Sequence, residues 1–356
     1  MKKLFFFIAG GCFAPALIFS QETTPEPEKP KPVFTFSADA YYRYDFNKSP
    51  LNNKTSFTNS HNSFELGMAS VKVEHTIGKV GMVADIGFGK RAEDFSYNDE
   101  KSRFALKQLY ISYSPWKNFK FTAGSWATHV GYELVDAYAN RNYSMSYMFS
   151  YGPFFHTGLK GELTVGKNGF MLGIANPSDL KTTTFGPHFI LGQYSTTLAN
   201  DALKVYLNYQ GGKFNDSTKM NQVDLVLAQT ISSKFNIGFN GTVATTKAKN
   251  DGKYGESSEW WGSAIYLNAD PKSWLGLTLR TEYFSDKNQL NVFNPGLVAE
   301  GGSVLAATLS ANFKIDNLTI IPEFRIDNAT EPIFFKSSGS QIKSASSVLL
   351  AAIYKF

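Results

Sequence analysis

Cysteine is nearly missing from this chain, since Cys12 is the only one among 356 residues. It lies close to the N-terminus, so the body of the protein has no disulfide, no thiol nucleophile and no cysteine metal site. Other metal motifs are missing too: neither an H-E-x-x-H pair nor an Asp- or Asn-rich calcium loop occurs. The sequence therefore predicts no metal and no cofactor.

Long hydrophobic runs are also missing after Gln21. The longest one near the C-terminus, Val348 to Tyr354, is far shorter than the roughly twenty residues of a membrane-spanning helix. Aromatic residues nevertheless make up 15% of the chain, with 31 Phe and 18 Tyr, while the mean hydropathy is slightly negative. So many aromatics without a hydrophobic average mean that apolar residues are interleaved with polar ones. The composition excludes a membrane protein built from helices.

A strong excess of charge of one sign is the third feature that the sequence lacks. The formal net charge is +5, and no cluster of Lys and Arg accompanies it. Nucleic-acid binding draws on basic patches that neutralise phosphates. We therefore expect no nucleic-acid partner.

The first twenty residues match a secretory signal peptide. Lys2 and Lys3 form a short cationic start, residues 4–19 are apolar, and Ser20 ends the predicted peptide at 1–20. A lipoprotein cut just before Cys12 is the alternative, although the preceding residues match a lipid-attachment site poorly.

Residues 21–32 are rich in proline and charge. Such a segment cannot form a packed core, so we predict an extended leader. The folded domain is then expected to occupy residues 33–356.

From Phe34 onward, hydrophobic and polar residues alternate with a period of two, which indicates β-strands. In the first segment Phe34, Phe36 and Tyr42 share one face, while Asp39 and Arg43 share the other. The pattern predicts strands at 33–46, 62–76, 79–92, 103–115, 118–127, 154–164, 168–176, 188–197, 201–211, 221–231, 234–245, 258–269, 273–285, 303–314, 317–328 and 345–356. A change of face near Ala69 predicts a β-bulge in the second strand.

The connections between these segments alternate between tight turns, such as Gly166-Lys167, and long loops, such as 128–153. Outer-membrane barrels are built in this way, with short periplasmic turns and longer extracellular loops. A sheet in hydrocarbon must close on itself because lipid offers no partner for backbone groups. The sequence therefore predicts an all-β fold, a transmembrane antiparallel β-barrel of about sixteen strands in the outer membrane.

Aromatic residues cluster at segment ends, as expected for girdles at the membrane interfaces. We assign eight to these girdles: Phe119, Phe121, Phe154, Phe155, Trp274, Phe313, Tyr354 and Phe356. The last two also end an alternating strand at the C-terminus. That strand resembles the terminal signal that the barrel-assembly machinery recognises, so we assign Tyr354 and Phe356 to an assembly signal.

Three stretches carry a family resemblance: FTAGSWATHVGYE at 121–133, NRNYS at 140–144 and GPFFHTG at 152–158. They resemble the porin-2, OmpL-like family of β-barrel porins found in Bacteroidetes. The resemblance extends over most of the chain and is sharpest near 120–165. It implies an integral barrel of the Gram-negative outer membrane.

The loop at 128–153 carries charges of both signs. In general porins the third loop folds into the lumen, and opposite charges across a constriction filter solutes. The sequence therefore predicts a constriction loop with His129, Glu133, Asp136 and Arg141. Alternation further places eleven charged residues on the lumen wall, with balanced signs that predict weak ion selectivity: Asp39, Arg43, Asp45, Asp85, Lys160, Glu162, Lys204, Arg280, Glu282, Glu323 and Arg325.

These features favour a porin through which small hydrophilic solutes diffuse passively, with the 128–153 loop narrowing a water-filled lumen. The expected partners are outer-membrane lipid, the assembly machinery and the solutes, and a homo-oligomer is left open. A non-conducting accessory or structural barrel in a secretion or uptake complex would share every feature. No enzyme is predicted: the best nucleophile and base set, His156 with Ser144 and Ser146, has no G-x-S-x-G elbow.

Overall fold

The computed structural model describes residues 30–100, 103, 105–184, 186 and 189–356. The predicted signal peptide at 1–20 lies outside these residues, as do positions 21–29 of the predicted leader. In the described part, sixteen long strands, two short α-helices and three two-residue strands are the main elements. The α-helices are α1 (Lys90–Phe95) and α2 (Tyr147–Tyr151).

The strands, in chain order, are β1 (Val33–Asp45), β2 (Ser63–Ile77), β3 (Val80–Phe88), β4 (Leu106–Trp116), β5 (Phe119–Ala127), β6 (Phe155–Val165), β7 (Asn168–Ala175), β8 (Phe189–Leu198), β9 (Leu203–Lys213), β10 (Thr218–Ser232), β11 (Phe235–Asn250), β12 (Lys253–Tyr254), β13 (Ser258–Lys272), β14 (Leu275–Asp286), β15 (Gly302–Ile315), β16 (Leu318–Ala329), β17 (Phe334–Phe335), β18 (Gln341–Ile342) and β19 (Ser344–Lys355).

The sixteen long strands form one closed antiparallel sheet. Each pairs with the next long strand along the chain, and β19 pairs with both β16 and β1. At the seam, the Phe36 amide donates to the Phe356 carbonyl at 2.9 Å, and the Phe356 amide donates to the Phe36 carbonyl at 3.0 Å. Closure leaves no unpaired edge, which a sheet in hydrocarbon requires. The prediction of a sixteen-stranded barrel is confirmed.

The two ends of the barrel differ in loop length. Seven connections of two to four residues lie at one end, and Gly78 and Gly166 supply the positive φ angles (58° and 59°) that two of these tight turns need. The other end carries the longer loops, although the one between β9 and β10 has only residues 214–217 because both strands extend further than predicted.

The predicted strand at 79–92 is too long, since β3 ends at Phe88. Gly89 follows with a φ of 112°, and the chain then forms α1. This helix buries the side chains of Arg91 and Phe95 at the long-loop end. The sequence pattern continues past Phe88, but the residues there form a helix that packs beneath the loops and do not extend the strand.

The faces of the barrel are inverted relative to a water-soluble protein. Outward side chains such as Leu66 and Leu172 are 77% and 69% exposed, whereas the inward Asp224 and Arg280 are 1% and 0% exposed. Lipid contact favours apolar side chains outside, and the polar ones then face the lumen. The predicted alternation of faces therefore describes a barrel in a bilayer.

The predicted β-bulge lies in β2. Ala38 pairs with Ala69 and Ala40 pairs with Leu66, so β2 has one extra residue across the same stretch. The carboxylate of Asp39 fills the gap by accepting the Met68 amide at 3.2 Å. The bulge thus aims Asp39 into the barrel.

Exposed aromatics lie near strand ends, including Trp116, Trp274 and Phe356. Phe154 and Phe155 do not belong to a girdle, which corrects the sequence-based assignment. Both are buried beneath the long loops, where their rings pack against Phe95 at 5.9 and 5.3 Å. Aromatic residues just after a loop are typical both of a girdle and of packing beneath the loops. The sequence pattern alone therefore does not distinguish these two roles.

Placing a cation on the lipid face tests this orientation. We expect Leu172→Arg, on the outward face of β7, to lower the free energy of unfolding by about 2–4 kcal/mol, because the charge enters hydrocarbon. Ser195→Arg on the inward face of β8 is the control and should have a much smaller effect. Urea unfolding of both variants refolded into lipid vesicles measures the difference, and equal losses would contradict the orientation.

Candidate functional site

The loop that joins β5 to β6, residues 128–154, crosses the interior of the barrel; we call it the lumen loop. Its Asp136 bonds Lys107 on β4 at 2.5 Å, and its Tyr143 hydroxyl donates to Asp39 on β1 at 2.9 Å. Its Arg141 reaches Asp270 on β13 at 2.9 Å. Because these strands lie on different sides of the barrel, the loop spans the lumen and fills much of it.

Two buried arginines anchor the centre of the lumen loop. Arg280 donates to the Glu133 carboxylate at 2.5 Å and to the Ser144 carbonyl at 2.8 Å. Arg325 donates to the Met145 carbonyl at 2.7 Å. Irregular backbone needs partners for its polar groups when it is buried. Here the wall arginines supply them, so they hold the loop in place.

Two acidic residues of the wall accept hydrogen bonds from the amides of the same backbone. Glu323 accepts the amides of Tyr143 and Ser144 at 2.8 and 3.2 Å. Glu282 accepts the amide of Tyr147 at 2.8 Å. Hydrogen bonds to a carboxylate are stronger than those between neutral groups. The wall therefore binds both the carbonyls and the amides of the loop.

Arg91 of α1 holds the lumen loop in place at the long-loop end of the barrel. Its guanidinium lies between the rings of Phe57 and Tyr143, 4.7 and 4.8 Å from their centroids. It also donates to the carbonyls of Val135 and Tyr143 at 3.2 and 3.3 Å. This residue was not predicted from the sequence, because the alternating pattern places position 91 in a strand.

The four residues predicted for the constriction all lie in the lumen loop, and three of them form ion pairs: Glu133 with Arg280, Asp136 with Lys107, and Arg141 with Asp270. The fourth, His129, lies with its Nε2 3.1 Å from the Tyr209 carbonyl and its ring 5.1 Å from that of His156. The structure brings these residues into the barrel, but it pairs the charges with neighbours rather than facing them across open space.

Most of the predicted lumen-wall charges are paired as well. Arg43 contacts Asp45, Asp85 contacts Lys107, and Lys160 contacts Glu162 at 3.6, 3.1 and 3.3 Å. Lys204 is exposed near the tight-turn end of β9. Of the eleven predicted wall charges, five bond the lumen loop directly: Asp39, Arg280, Glu282, Glu323 and Arg325.

A wall of carboxamides, which was not predicted from the sequence, runs across the barrel from β9 to β13. Asn208 and Asn240 donate to Asp224 at 2.8 and 2.6 Å, and Gln210 donates to Gln222 at 2.8 Å. We call this surface the amide wall, formed by Asn208, Gln210, Gln222, Asn236, Asn240 and Asn268. The sequence does contain a signal for this wall, because Asn and Gln recur at alternate positions of successive strands.

Cavities follow the amide wall along the barrel axis. Strand β10 runs from the long-loop end to the tight-turn end and meets them in the order Met220, Gln222, Asp224. An outer vestibule of about 650 Å³ and a cavity of about 90 Å³ share Met220. A space of about 10 Å³ follows at Gln222 and Asp224, the narrow point. An inner cavity of about 280 Å³ lies beyond it, lined by Asn236 and Asn268.

The narrow point is formed where the lumen loop touches the amide wall. The Gly131 amide donates to Asp224 at 3.0 Å, and the φ of Gly131, 95°, suits glycine. The next residue, Tyr132, covers Gly238 so closely that a Cβ at position 238 would lie 2.6 Å from the tyrosine ring. A shift of this short segment would therefore change the width of the passage.

Asp179 lies in the loop after β7, at the long-loop end of the barrel, and binds the last residues of the lumen loop. Its Oδ1 accepts the amides of Phe154 and Phe155 at 2.7 and 3.0 Å. Burial raises the pKa of its carboxyl to about 6, although these amides, Tyr97 and Lys181 lower it in part. A raised pKa means that the folded state binds the proton more tightly than the unfolded state does.

We expect the loop end to become more stable as the pH falls from 7 through 6 to about 4.5, because folding then no longer buries a charged carboxylate. The protection factors of the Phe154 and Phe155 amides, corrected for intrinsic exchange, should rise over this range. Asp179→Asn keeps the acceptor oxygen and should remove the dependence. A variant with the wild-type pH profile would show that another group titrates.

Among the described residues, no helix is long and apolar enough to cross a membrane, and no cluster of His, Cys, Asp and Glu could hold a metal ion.

A family model described as "Putative beta-barrel porin-2, OmpL-like" matches residues 34–356. No curated protein matches the chain by sequence. Solved structures with the same fold include the outer membrane channel DcaP of Acinetobacter baumannii, at 10% identity and a TM-score of 0.62, covering 91% of this chain and 97% of that one. The anion-selective porin from Comamonas acidovorans has 11% identity and a TM-score of 0.61, with 92% and 99% covered. The trimer form of OmpT from Vibrio cholerae has 12% identity and a TM-score of 0.60, with 92% and 99% covered.

Proposed function

The chain belongs to the porin-2, OmpL-like family of outer-membrane β-barrels, and on this premise we propose that small hydrophilic solutes diffuse passively through its lumen along the amide wall. The cavities between that wall and the lumen loop carry the proposal. They lie in one row from the outer vestibule to the inner cavity, and both polar and apolar side chains line them. The narrow point limits the passage.

Conductance of the purified, refolded protein in a planar lipid bilayer tests this function. We expect stable current steps in potassium chloride. A salt gradient should give a reversal potential near zero, because most lumen charges are neutralised in pairs. A folded barrel without current steps would contradict the proposal.

One observation favours a second function, a non-conducting accessory barrel in an uptake or secretion complex. The narrow point has a volume of only about 10 Å³, which is the least that holds one water molecule. If the lumen loop never moves there, small solutes do not pass. A silent barrel that co-purifies with a specific partner after crosslinking in cells would support this alternative.

We assign no catalysis to the protein, whose fold and family are those of non-enzymatic channels. In the set considered from the sequence, the His156 ring is fully buried and bonds the Thr128 hydroxyl at 3.1 Å. Ser144 and Ser146 use their backbones to hold the lumen loop. These contacts support a structural role for all three.

The terminal residues Tyr354 and Phe356 are proposed to act as the assembly signal. The Phe356 ring stacks on Phe36 at 4.8 Å at the seam of the barrel, so the same residue also closes the sheet. We expect removal of Phe356 to reduce the amount of barrel in the outer membrane of cells, while refolding into detergent is largely retained. Equal reduction in both assays would assign Phe356 to stability alone.

A homo-oligomer is proposed from fold similarity, since OmpT has been solved in a trimer form. Crosslinking in native membranes tests it, and a barrel that stays monomeric would contradict it.

A further inference from the structure

The inner cavity lies on the tight-turn side of the narrow point, between the lumen loop and strands β11 and β13. Its volume of about 280 Å³ is about the volume that nine water molecules occupy in the liquid. It is lined by Tyr132, Glu133, Arg141, Asn236, Tyr266 and Asn268, among others. Asn236 is the second residue of β11, so the cavity is close to the tight-turn mouth even while the narrow point is closed.

The charged groups of this cavity are already neutralised. Glu133 pairs with Arg280 at 2.5 Å and also accepts the Ser146 amide at 2.8 Å. Arg141 makes two hydrogen bonds to Asp270, at 3.0 and 2.9 Å. An ionic solute would have to break one of these pairs to find a counter-charge. A neutral solute would not.

The hydrogen-bonding groups that remain are neutral. Tyr266 lines the cavity with its ring, which stacks on the Tyr132 ring with 4.1 Å between the centroids. Asn236 accepts from Asn268 through its Oδ1 at 2.8 Å, which leaves its N–H groups for other acceptors. Asn142 donates to Ser310 at 2.7 Å, which leaves its Oδ1 as an acceptor. A solute hydroxyl can both accept from the Asn236 N–H groups and donate to the Asn142 Oδ1.

We propose that the inner cavity is a binding subsite for one neutral, polyhydroxylated solute of the size of a sugar. The inference rests on the proposed function, because a solute that binds here is one that the lumen admits. Closely spaced hydroxyls match the donors of Asn236 and the acceptor of Asn142. The paired charges select against carboxylates and amines of the same size.

Calorimetric titration of the refolded barrel in a sugar-free detergent tests the subsite without requiring conduction. The probes are glucose and sucrose as neutral polyols, with succinate and glutamate as charged solutes. We expect saturable binding of at least one sugar and none of comparable strength by the charged solutes. Asn236→Ala should weaken sugar binding about five- to ten-fold, since it removes the amide that donates to a sugar hydroxyl.

The matched control is Asn168→Ala, which removes a carboxamide on the outward face of β7 near its tight turn, where the Oδ1 accepts from the Tyr194 hydroxyl at 2.7 Å. It should leave sugar binding unchanged. Absence of saturable sugar binding, tighter binding of succinate or glutamate, or equal effects of the two variants would each overturn the subsite. Bilayer conductance reports the proposed function separately, so a conducting barrel without sugar binding refutes only the subsite.

Discussion

Deleting residues 134–147 from the lumen loop, with a short Gly-Ser bridge in their place, should raise single-channel conductance several-fold. A closed barrel of sixteen strands encloses an aqueous lumen unless something fills it. Here the lumen loop fills it, and the deleted residues include the backbone groups that Arg280, Glu323 and Arg325 hold. Once these groups are gone, water should occupy the space.

Removal of residues 251–257 is the matched control for this deletion. These residues form a loop outside the barrel, between β11 and β13, and most of them are exposed. The control should leave conductance unchanged. Equal conductance of wild type and the lumen-loop deletion would mean that the loop does not limit the current.

Arg280→Met should lower the free energy of unfolding by about 3–5 kcal/mol, because it leaves the buried Glu133 carboxylate without its partner. It also removes donors to the carbonyls of Ser144 and Met145. We therefore expect noisier current as well, since the loop loses its central anchor. Urea unfolding in lipid vesicles and single-channel recording measure the two effects.

Adding Glu133→Gln to Arg280→Met should recover part of the stability, because the unpaired charge is then gone. Arg141→Met serves as a comparison, since its pair with Asp270 is partly exposed and such pairs contribute about 1 kcal/mol or less. Similar losses for Arg280→Met and Arg141→Met would contradict the anchoring role assigned to Arg280.

The alternation of residues and the lengths of the loops were enough to predict the barrel. Each strand must present apolar residues to lipid and polar ones to the lumen, so a local pattern such as Tyr42-Arg43-Tyr44 directly reports the global fold. The bulge near Ala69 was predictable for the same reason. Strand ends were less accurate near Phe88, where a helix replaces the end of the predicted strand.

The proposed path along the amide wall could not be predicted in the same way. The sequence predicted charged residues on the lumen wall, yet Arg280 and Glu282 hold the lumen loop. Which inward side chains stay available to a solute depends on where that loop lies. Its position follows from contacts between residues more than a hundred positions apart, such as Tyr143 with Glu323, and no local pattern encodes them.

Selective blocking of the lumen tests the central claim, that solutes pass along the amide wall, most directly. Cysteine is introduced either at Asn240 on the amide wall or at Ser310, which lies under the lumen loop against Asn142. A charged methanethiosulfonate reagent is then added during single-channel recording. We expect Asn240→Cys to lose roughly half or more of its conductance, because the adduct narrows the passage, while Ser310→Cys is unaffected. Loss of current at Ser310→Cys alone would place the passage on the opposite side of the loop and contradict the proposed path.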